Sequence, residues 1–218
     1  MSIKVTAILP MRSGSKRVIN KNIRKINNKL FFEYILETLN KSSFIKKIII
    51  NINIKKTNFK KIDNTKIVYF ERKKNLKGNC NINDVIKDTL NNFDDEIFIQ
   101  THATNPLLNY KSINRAINFF DRNKNKYDSV FSVSELQTRL WNKNSKPINH
   151  KKNDEPTTQN LIKLYEENSC FYIFTRKSFF KNNNRIGTKP KMFMISKLES
   201  LDIDEEIDIN IAKIMTRK

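Results

Sequence analysis

A repeated change of hydrophobic period constrains this chain more than any other feature. Strand-like runs occur at Ile3 to Leu9, Lys46 to Ile54, Lys66 to Phe70, Glu96 to Gln100 and Asp128 to Val133. Between them, apolar residues recur three and four apart: Leu30, Phe31, Tyr34, Ile35 and Leu39, then Ile82, Val85, Ile86 and Leu90, then Ile113, Ala116, Ile117 and Phe120. A period of two giving way to a period near 3.6, and back again, is the mark of βαβ units. Runs such as Ile48-Ile49-Ile50 are apolar on both faces, so their strands need cover on both sides. The expected fold class is therefore α/β, three layers in the order α/β/α around a mostly parallel sheet. With 218 residues and no Pro/Ser-rich linker, one domain spanning 1–218 is expected.

Ligands of such sheets bind beyond the carboxyl ends of the strands. Three stretches meet there: the loop after the first strand, the Asn51 to Asn53 end of the second, and Thr101-His102-Ala103-Thr104-Asn105-Pro106. The first is the most informative. The run Leu9-Pro10-Met11-Arg12-Ser13-Gly14-Ser15-Lys16-Arg17, followed by Lys21-Asn22, closes a strand at a residue that cannot donate a ladder bond and opens into hydroxyls, one glycine and cations. Gly14 lets backbone N–H groups approach an anion without an intervening Cβ, and Arg12, Lys16 and Arg17 add charge. A polyphosphate grip and a plain basic loop both fit these residues taken alone.

From Leu136 to Leu164 the alternation lapses into polar sequence with Trp141, Pro147 and Pro156, an excursion from the sheet too long for a simple connection. Cys170 to Phe174 resumes as a strand, Lys177 to Phe180 as a short helix and Met192 to Ile195 as another strand. Then comes Ser200-Leu201-Asp202-Ile203-Asp204, whose alternation sets Leu201 and Ile203 on one face and both carboxylates on the other. Two readings are open. A divalent cation bridging to phosphate explains the pair. Helix capping explains Asp204, with Glu205, Glu206 and Asp208 opening a helix whose core face is Ile207, Ile211, Ile214 and Met215.

The formal net charge of +20 invites a nucleic-acid partner. The lysines, however, run through nearly every segment beside abundant Asn and Ile, and no RRM-type aromatic motif, helix-turn-helix signal or one-sided basic helix accompanies them. A solvated basic surface is expected, with no nucleic acid and no membrane: no apolar run approaches the about 20 residues that span a bilayer. Met1-Ser2-Ile3-Lys4 leads straight into a strand, leaving no signal peptide, so a cytoplasmic protein is expected. Cys80 and Cys170 form no CxxC pair and, with His102 and His150, no zinc spacing; both are expected as reduced thiols. Walker A and G-x-G-x-x-G motifs are absent.

Taken together and in this order, the opening run, Asn105-Pro106-Leu107, Glu167-Asn168-Ser169-Cys170-Phe171-Tyr172-Ile173 and Ser200-Leu201-Asp202-Ile203-Asp204 resemble the acylneuraminate cytidylyltransferases (CMP-sialic acid synthetases) and their relatives acting on other nonulosonic acids and on Kdo. The resemblance implies a Rossmann-like nucleotidyltransferase fold and cytidylyl transfer from CTP to the anomeric hydroxyl of a 2-keto sugar acid, releasing pyrophosphate. It places nucleotide binding at Leu9, Pro10, Met11, Arg12, Gly14, Ser15, Lys16 and Asn22, with Arg12, Lys16 and Lys21 as the catalytic cations. Mg²⁺ falls to Asp202 and Asp204, and sugar contacts to His102, Thr104, Asn105, Gln159 and Asn168. The excursion at 136–164 becomes a homodimerisation segment. This chain departs from the family pattern at Asn51-Ile52-Asn53, where many members have Ser-Thr-Asp, at His102, which takes a Gln position, at Leu108 in place of an arginine, and at Glu166 in place of another. Those positions lie toward the base and sugar pockets, so a Kdo-type or other sugar nucleotidyltransferase is the alternative.

Overall fold

The computed structural model describes residues 3–12, 18, 21, 24–53, 64–77, 80–152 and 157–217. Its strands are β1 (Val5–Met11), β2 (Lys25–Ile26), β3 (Lys29–Leu30), β4 (Ile45–Ile52), β5 (Ile67–Glu71), β6 (Ile97–Thr101), β7 (Ser129–Leu136), β8 (Leu164–Thr175) and β9 (Pro190–Met194). The α-helices are α1 (Phe31–Lys41), α2 (Ile82–Asn92), α3 (Tyr110–Asn123), α4 (Arg176–Asn182) and α5 (Glu206–Met215).

The main sheet has the order β5-β4-β1-β6-β8-β7-β9. The pairs β1–β4, β1–β6, β4–β5 and β7–β9 are parallel, while β8 runs antiparallel to both β6 and β7. The expected mostly parallel sheet is thus present, with one reversed strand. Alternation along β1 decides which layer each side chain joins. Val5, Ala7, Leu9 and Met11 enter the core with Phe32, Ile35 and Leu39 of α1 and Ile113, Ile117 and Phe120 of α3. Ile8 points the other way, to Ile86 and Leu90 of α2 and Phe179 of α4. Burial on both faces is why β1 and β4 read as continuous apolar runs rather than alternating ones. Asn81 and Asn109 cap α2 and α3, each side chain accepting from the N–H two residues on, at 2.9 Å.

The excursion begins and ends at a pair: Leu136 lies opposite Leu164 at the tip of the β7–β8 hairpin, and beyond it Trp141 bridges Pro147. Unforeseen in the sequence is the ribbon β2–β3, whose Asn27 and Asn28 take φ of 47° and 66°, the left-handed pair that a tight two-residue hairpin needs.

The expected core face of α5 is wrong. Ile207, Ile211, Ile214 and Met215 are exposed, and the helix docks instead through Ile209 and Ala212, against Val18, Ile26 and Phe31. Polar tethers set its rotation. Arg24 makes a two-pronged ion pair with Glu206, and Asn27 Nδ2 donates to the Lys213 carbonyl at 2.8 Å and to Thr216 Oγ1 at 3.0 Å. Residues 206, 209, 213 and 216 share one helical stripe, so fastening its ends turns Ile209 inward and the isoleucine stripe out. Among the described residues no helix is long and apolar enough to cross a membrane.

Candidate active site

A cavity of about 300 Å³ opens at the carboxyl edge of the sheet, lined by Pro10, Arg12, Lys21, Arg72, Cys80, His102, Thr104, Arg185, Asp202 and Asp204, among others. β1 ends just before Arg12, β6 ends just before His102, and the extended segment before α5 brings in the aspartates. That segment is fastened by the Ile203 N–H donating to the Thr104 carbonyl at 2.9 Å, by Asn105 Nδ2 donating to the Leu201 carbonyl at 3.3 Å, and by burial of Ile203. The alternation expected over 201–204 is therefore realised in space without a strand, and two distant stretches of chain meet in one site.

Lys21 Nζ lies 3.0 Å from Asp204 Oδ1 and 3.9 Å from Asp202 Oδ1. Asp204 is not the helix cap. Glu205 occupies that place, and Asp208 Oδ2 accepts from the Asp204 and Glu205 N–H groups at 2.8 and 2.7 Å, leaving the Asp204 carboxylate to face the cavity. Asp202 is held by the Thr104 hydroxyl and Lys21, yet burial, with the nearby charges of Asp204 and Asp208, raises its pKa above the ordinary carboxylate value. Its Oδ1 is out of contact with solvent and has no hydrogen-bond partner among the described residues. A buried carboxylate oxygen without a hydrogen bond, next to a second carboxylate, fits a hard cation. Among the described residues no three His, Cys, Asp or Glu come together, so such a cation would take two protein carboxylates and find its other ligands on phosphate, sugar or water.

Arg72 is a site residue that the sequence reading missed. It follows β5 at the same sheet edge and is 4% exposed. Its Nε donates to Asn51 Oδ1 at 2.6 Å, and Nη2 donates to the Met11 and Asn51 carbonyls, each at 3.2 Å. Asn51 in turn donates to Thr89 Oγ1 at 2.7 Å. Desolvation lowers the Arg72 pKa from its ordinary value, but a guanidinium remains charged at any physiological pH. The rule that located the other loops, the carboxyl edge of the sheet, also points to Arg72; the run Arg72-Lys73-Lys74 conceals which cation turns inward. Arg185, from the loop between α4 and β9, is the second residue missed.

His102 also lines the cavity. Burial, with Arg185 and Lys21 close by, pushes its pKa down to about 3, so the imidazole is neutral. Its Nε2 is buried without a partner among the described residues.

The remaining expected residues divide. Pro10 and Thr104 line the cavity. The side chains of Leu9 and Met11 turn into the core on the α1 and α3 face, so only backbone groups of theirs reach this edge, as the Met11 carbonyl does toward Arg72. Asn105 acts on the aspartate segment rather than on the cavity. Two residues are not brought to it at all. Gln159 is exposed in a 3₁₀ turn of the excursion, its carbonyl accepting from Gln137. Asn168 is buried in the β7–β8 hairpin, bonded to Ser134 Oγ at 3.4 Å and to the Cys170 N–H at 3.3 Å, where Ser169 takes a φ of 59°. Gly14, Ser15, Lys16 and Asn22 lie outside the described residues.

Comparison with known proteins agrees with this fold. The pseudaminic acid cytidylyltransferase of Campylobacter jejuni is 24% identical over 98% of this chain and 96% of its own. The CMP-N,N'-diacetyllegionaminic acid synthase of the same species is 27% identical over 94% and 91%. A solved CMP:2-keto-3-deoxy-manno-octonic acid synthetase complexed with CTP superposes with a TM-score of 0.70 over 97% of this chain and 98% of that one, at 8% identity, which is a likeness of fold. The sequence signature of the cytidylyltransferases matches residues 6–214, and the chain belongs to the cytidylyltransferase family.

Proposed function

We propose that this cytidylyltransferase carries CMP from CTP to the anomeric hydroxyl of a nonulosonic acid and releases pyrophosphate, using Mg²⁺ held by Asp202 and Asp204. The observation that carries the reading is the cavity that joins Arg12 and Lys21, from the opening stretch, to the two aspartates near the other end of the chain. The relatives named for pseudaminic and legionaminic acids support the acceptor class.

The chemistry follows from charge. In-line attack on the α-phosphorus builds negative charge on the phosphoryl oxygens and on the departing pyrophosphate, so rate comes from fixed cations and from alignment. Arg72 is pinned by three hydrogen bonds, so it need not reorganise as charge develops, and Lys21, which holds the aspartates in the absence of metal, turns to the phosphates when Mg²⁺ takes them. Arg12 completes the cationic wall, and Lys16, Ser15, Gly14 and Asn22 complete the nucleotide grip in this reading. When bound, Mg²⁺ neutralises phosphate charge and lowers the pKa of a coordinated hydroxyl. With its pKa near 3, His102 is a neutral hydrogen-bonding group for the acceptor, offering Nε2 without carrying a proton away. Thr104 orients Asp202 through its hydroxyl.

The reading also includes one domain, a cytoplasmic location in keeping with the free thiols Cys80 and Cys170, no nucleic-acid partner, and a homodimer formed through the excursion. Trp141, Ile148, Ile162 and Tyr165, large apolar side chains in and beside it, are exposed, as a surface covered by a second copy would be. Light scattering on the purified protein checks the dimer. Pyrophosphate release from CTP and Mg²⁺ over a panel of nonulosonic acids and Kdo checks the reaction: release with a nonulosonic acid is expected, release with Kdo alone would move the acceptor to the alternative class, and no release would refute the reading.

A further inference from the structure

The cations divide across the sheet. Arg12 follows β1 and Arg72 follows β5, whereas Arg185 stands on the far side of β6, over β8, in the same cavity. Its guanidinium lies 3.6 Å from the centre of the Tyr172 ring, and Nη1 donates to Gln100 Oε1. Gln100 and Tyr172 are themselves a cross-strand pair of β6 and β8, so one register position of the sheet supplies both contacts. The Tyr172 hydroxyl is held in turn, donating to Glu167 Oε1 beside Ser169 Oγ at 3.0 Å. Stacking occupies a face of the guanidinium and Gln100 one of its edge donors, which leaves further N–H groups for a planar anion. Among the described residues no carboxylate makes a direct ion pair with Arg185; the nearby Glu167 acts on it only through space, its carboxylate engaged by the Tyr172 hydroxyl.

The loop that carries it is mounted rigidly. Asp128 accepts from the Thr188 N–H at 2.9 Å, from Thr188 Oγ1 at 3.1 Å and from the Lys189 N–H at 3.0 Å, and Ser129 Oγ accepts from the Gly187 N–H at 2.8 Å. A Cβ on Gly187 would lie 2.2 Å from Asp128 Oδ1, so the clamp closes only on glycine. A guanidinium preorganised in this way, in direct contact with no carboxylate among the described residues and set apart from Arg12 and Arg72, suits recognition of one carboxylate. We propose that Arg185 is a specificity residue that receives the carboxylate of the acceptor sugar acid. The assignment rests on the reading of the chain as a nonulosonic acid cytidylyltransferase.

The test compares wild type with Arg185→Ala and Arg185→Lys in the full chain, using the best acid of the panel, its methyl ester, and CTP. For Arg185→Ala, kcat/KM for the acid should fall about 10- to 100-fold, the range expected for loss of a charge-assisted hydrogen bond, with the KM for CTP and the thermal shift given by CTP unchanged. The ester should be used equally by wild type and variant, and lysine should restore only part of the loss. Should the alanine variant not fold, Arg185→Gln, uncharged and closer in length, provides the same comparison. An equal fall for acid and ester, or a rise in the KM for CTP matching that for the acid, would overturn the assignment. No turnover of any acid by wild type would overturn the functional reading and this assignment with it; normal wild-type turnover with an indifferent Arg185→Ala overturns this assignment alone.

Discussion

Lys21 Nζ donates to Asp204 Oδ1 at 3.0 Å although 183 residues separate them. The lysine is 9% exposed, and Asp202 stands close by, 3.9 Å from the same nitrogen. Without ligands, Lys21 is therefore the cation that offsets two neighbouring carboxylates. Lys21→Met should lower stability by about 1–2 kcal/mol, the range for breaking a half-buried pair whose acids remain partly hydrated, and should reduce kcat/KM by about two orders of magnitude. It should also enlarge the thermal stabilisation given by Mg²⁺ alone, because the lysine no longer competes for the aspartates. A variant with no greater Mg²⁺ response than wild type would argue against the aspartate pair as the metal site.

His102 gives a pH signature. In the folded chain its pKa is pushed down to about 3, against an ordinary value of 6.5. Between those values the unfolded chain binds the proton and the folded chain does not, so stability rises with pH across this window and is lost on acidification from about 6.5 toward 3. Relative to His102→Gln, wild type should lose up to ~1 kcal/mol more per pH unit within it. Denaturant titrations from pH 7 to pH 4 check this; parallel curves for the two proteins would show that the imidazole is not buried neutral. In the activity profile, no inflection near pH 6.5 should trace to His102.

The layers of this molecule are written in the sequence because two-sided burial leaves a periodic record. The alternation of Val5, Ala7 and Leu9 against Ile8, and the spacing in α1, α2 and α3, each report one apolar face meeting another. What the record lacks is rotation and reach. In α5 the i, i+4, i+7 isoleucines look like a core stripe, but Arg24 and Asn27 turn the helix by polar contacts that no period encodes. Arg72 and Arg185 are two among 42 lysines and arginines, and only the three-dimensional path of the chain selects them. Gln159 and Asn168 show the converse: motif position gave them a role, while the excursion and the β7–β8 hairpin hold them outside this cavity.

The rotation of α5 can be measured directly. Ile209 is 1% exposed and packs in the cluster with Val18, Ile26 and Phe31, whereas Ile214 is 66% exposed. Ile209→Ala should cost about 2–4 kcal/mol, as core truncations do, and Ile214→Ala under about 0.5 kcal/mol. Urea denaturation of the two variants distinguishes the faces, and equal losses would restore the isoleucine stripe to the core. Because the helix begins immediately after the aspartate pair, Ile209→Ala should also weaken the response to Mg²⁺.

Gly187→Ala tests the mount of the Arg185 loop without touching the cavity. The added Cβ, 2.2 Å from Asp128 Oδ1 and 2.4 Å from its Cγ, must displace the carboxylate and with it the bonds to Thr188 and Lys189. Burial pushes the Asp128 pKa up, but the hydrogen bonds from Lys189, Thr188 and Ser129 outweigh it and hold the pKa below the ordinary carboxylate value. The clamp therefore contributes stability above the ordinary carboxylate range, and the contribution disappears as pH falls through the depressed folded value. At pH 7 the substitution should cost about 2–3 kcal/mol, shrinking as the pH is lowered, and should raise the KM for the acid acceptor more than that for CTP. Asp128→Asn should reproduce much of the loss, and the double variant should lose little more than either single one, since both break the same clamp. Additive losses would mean that Gly187 and Asp128 stabilise the loop independently, leaving Arg185 without the rigid support described here.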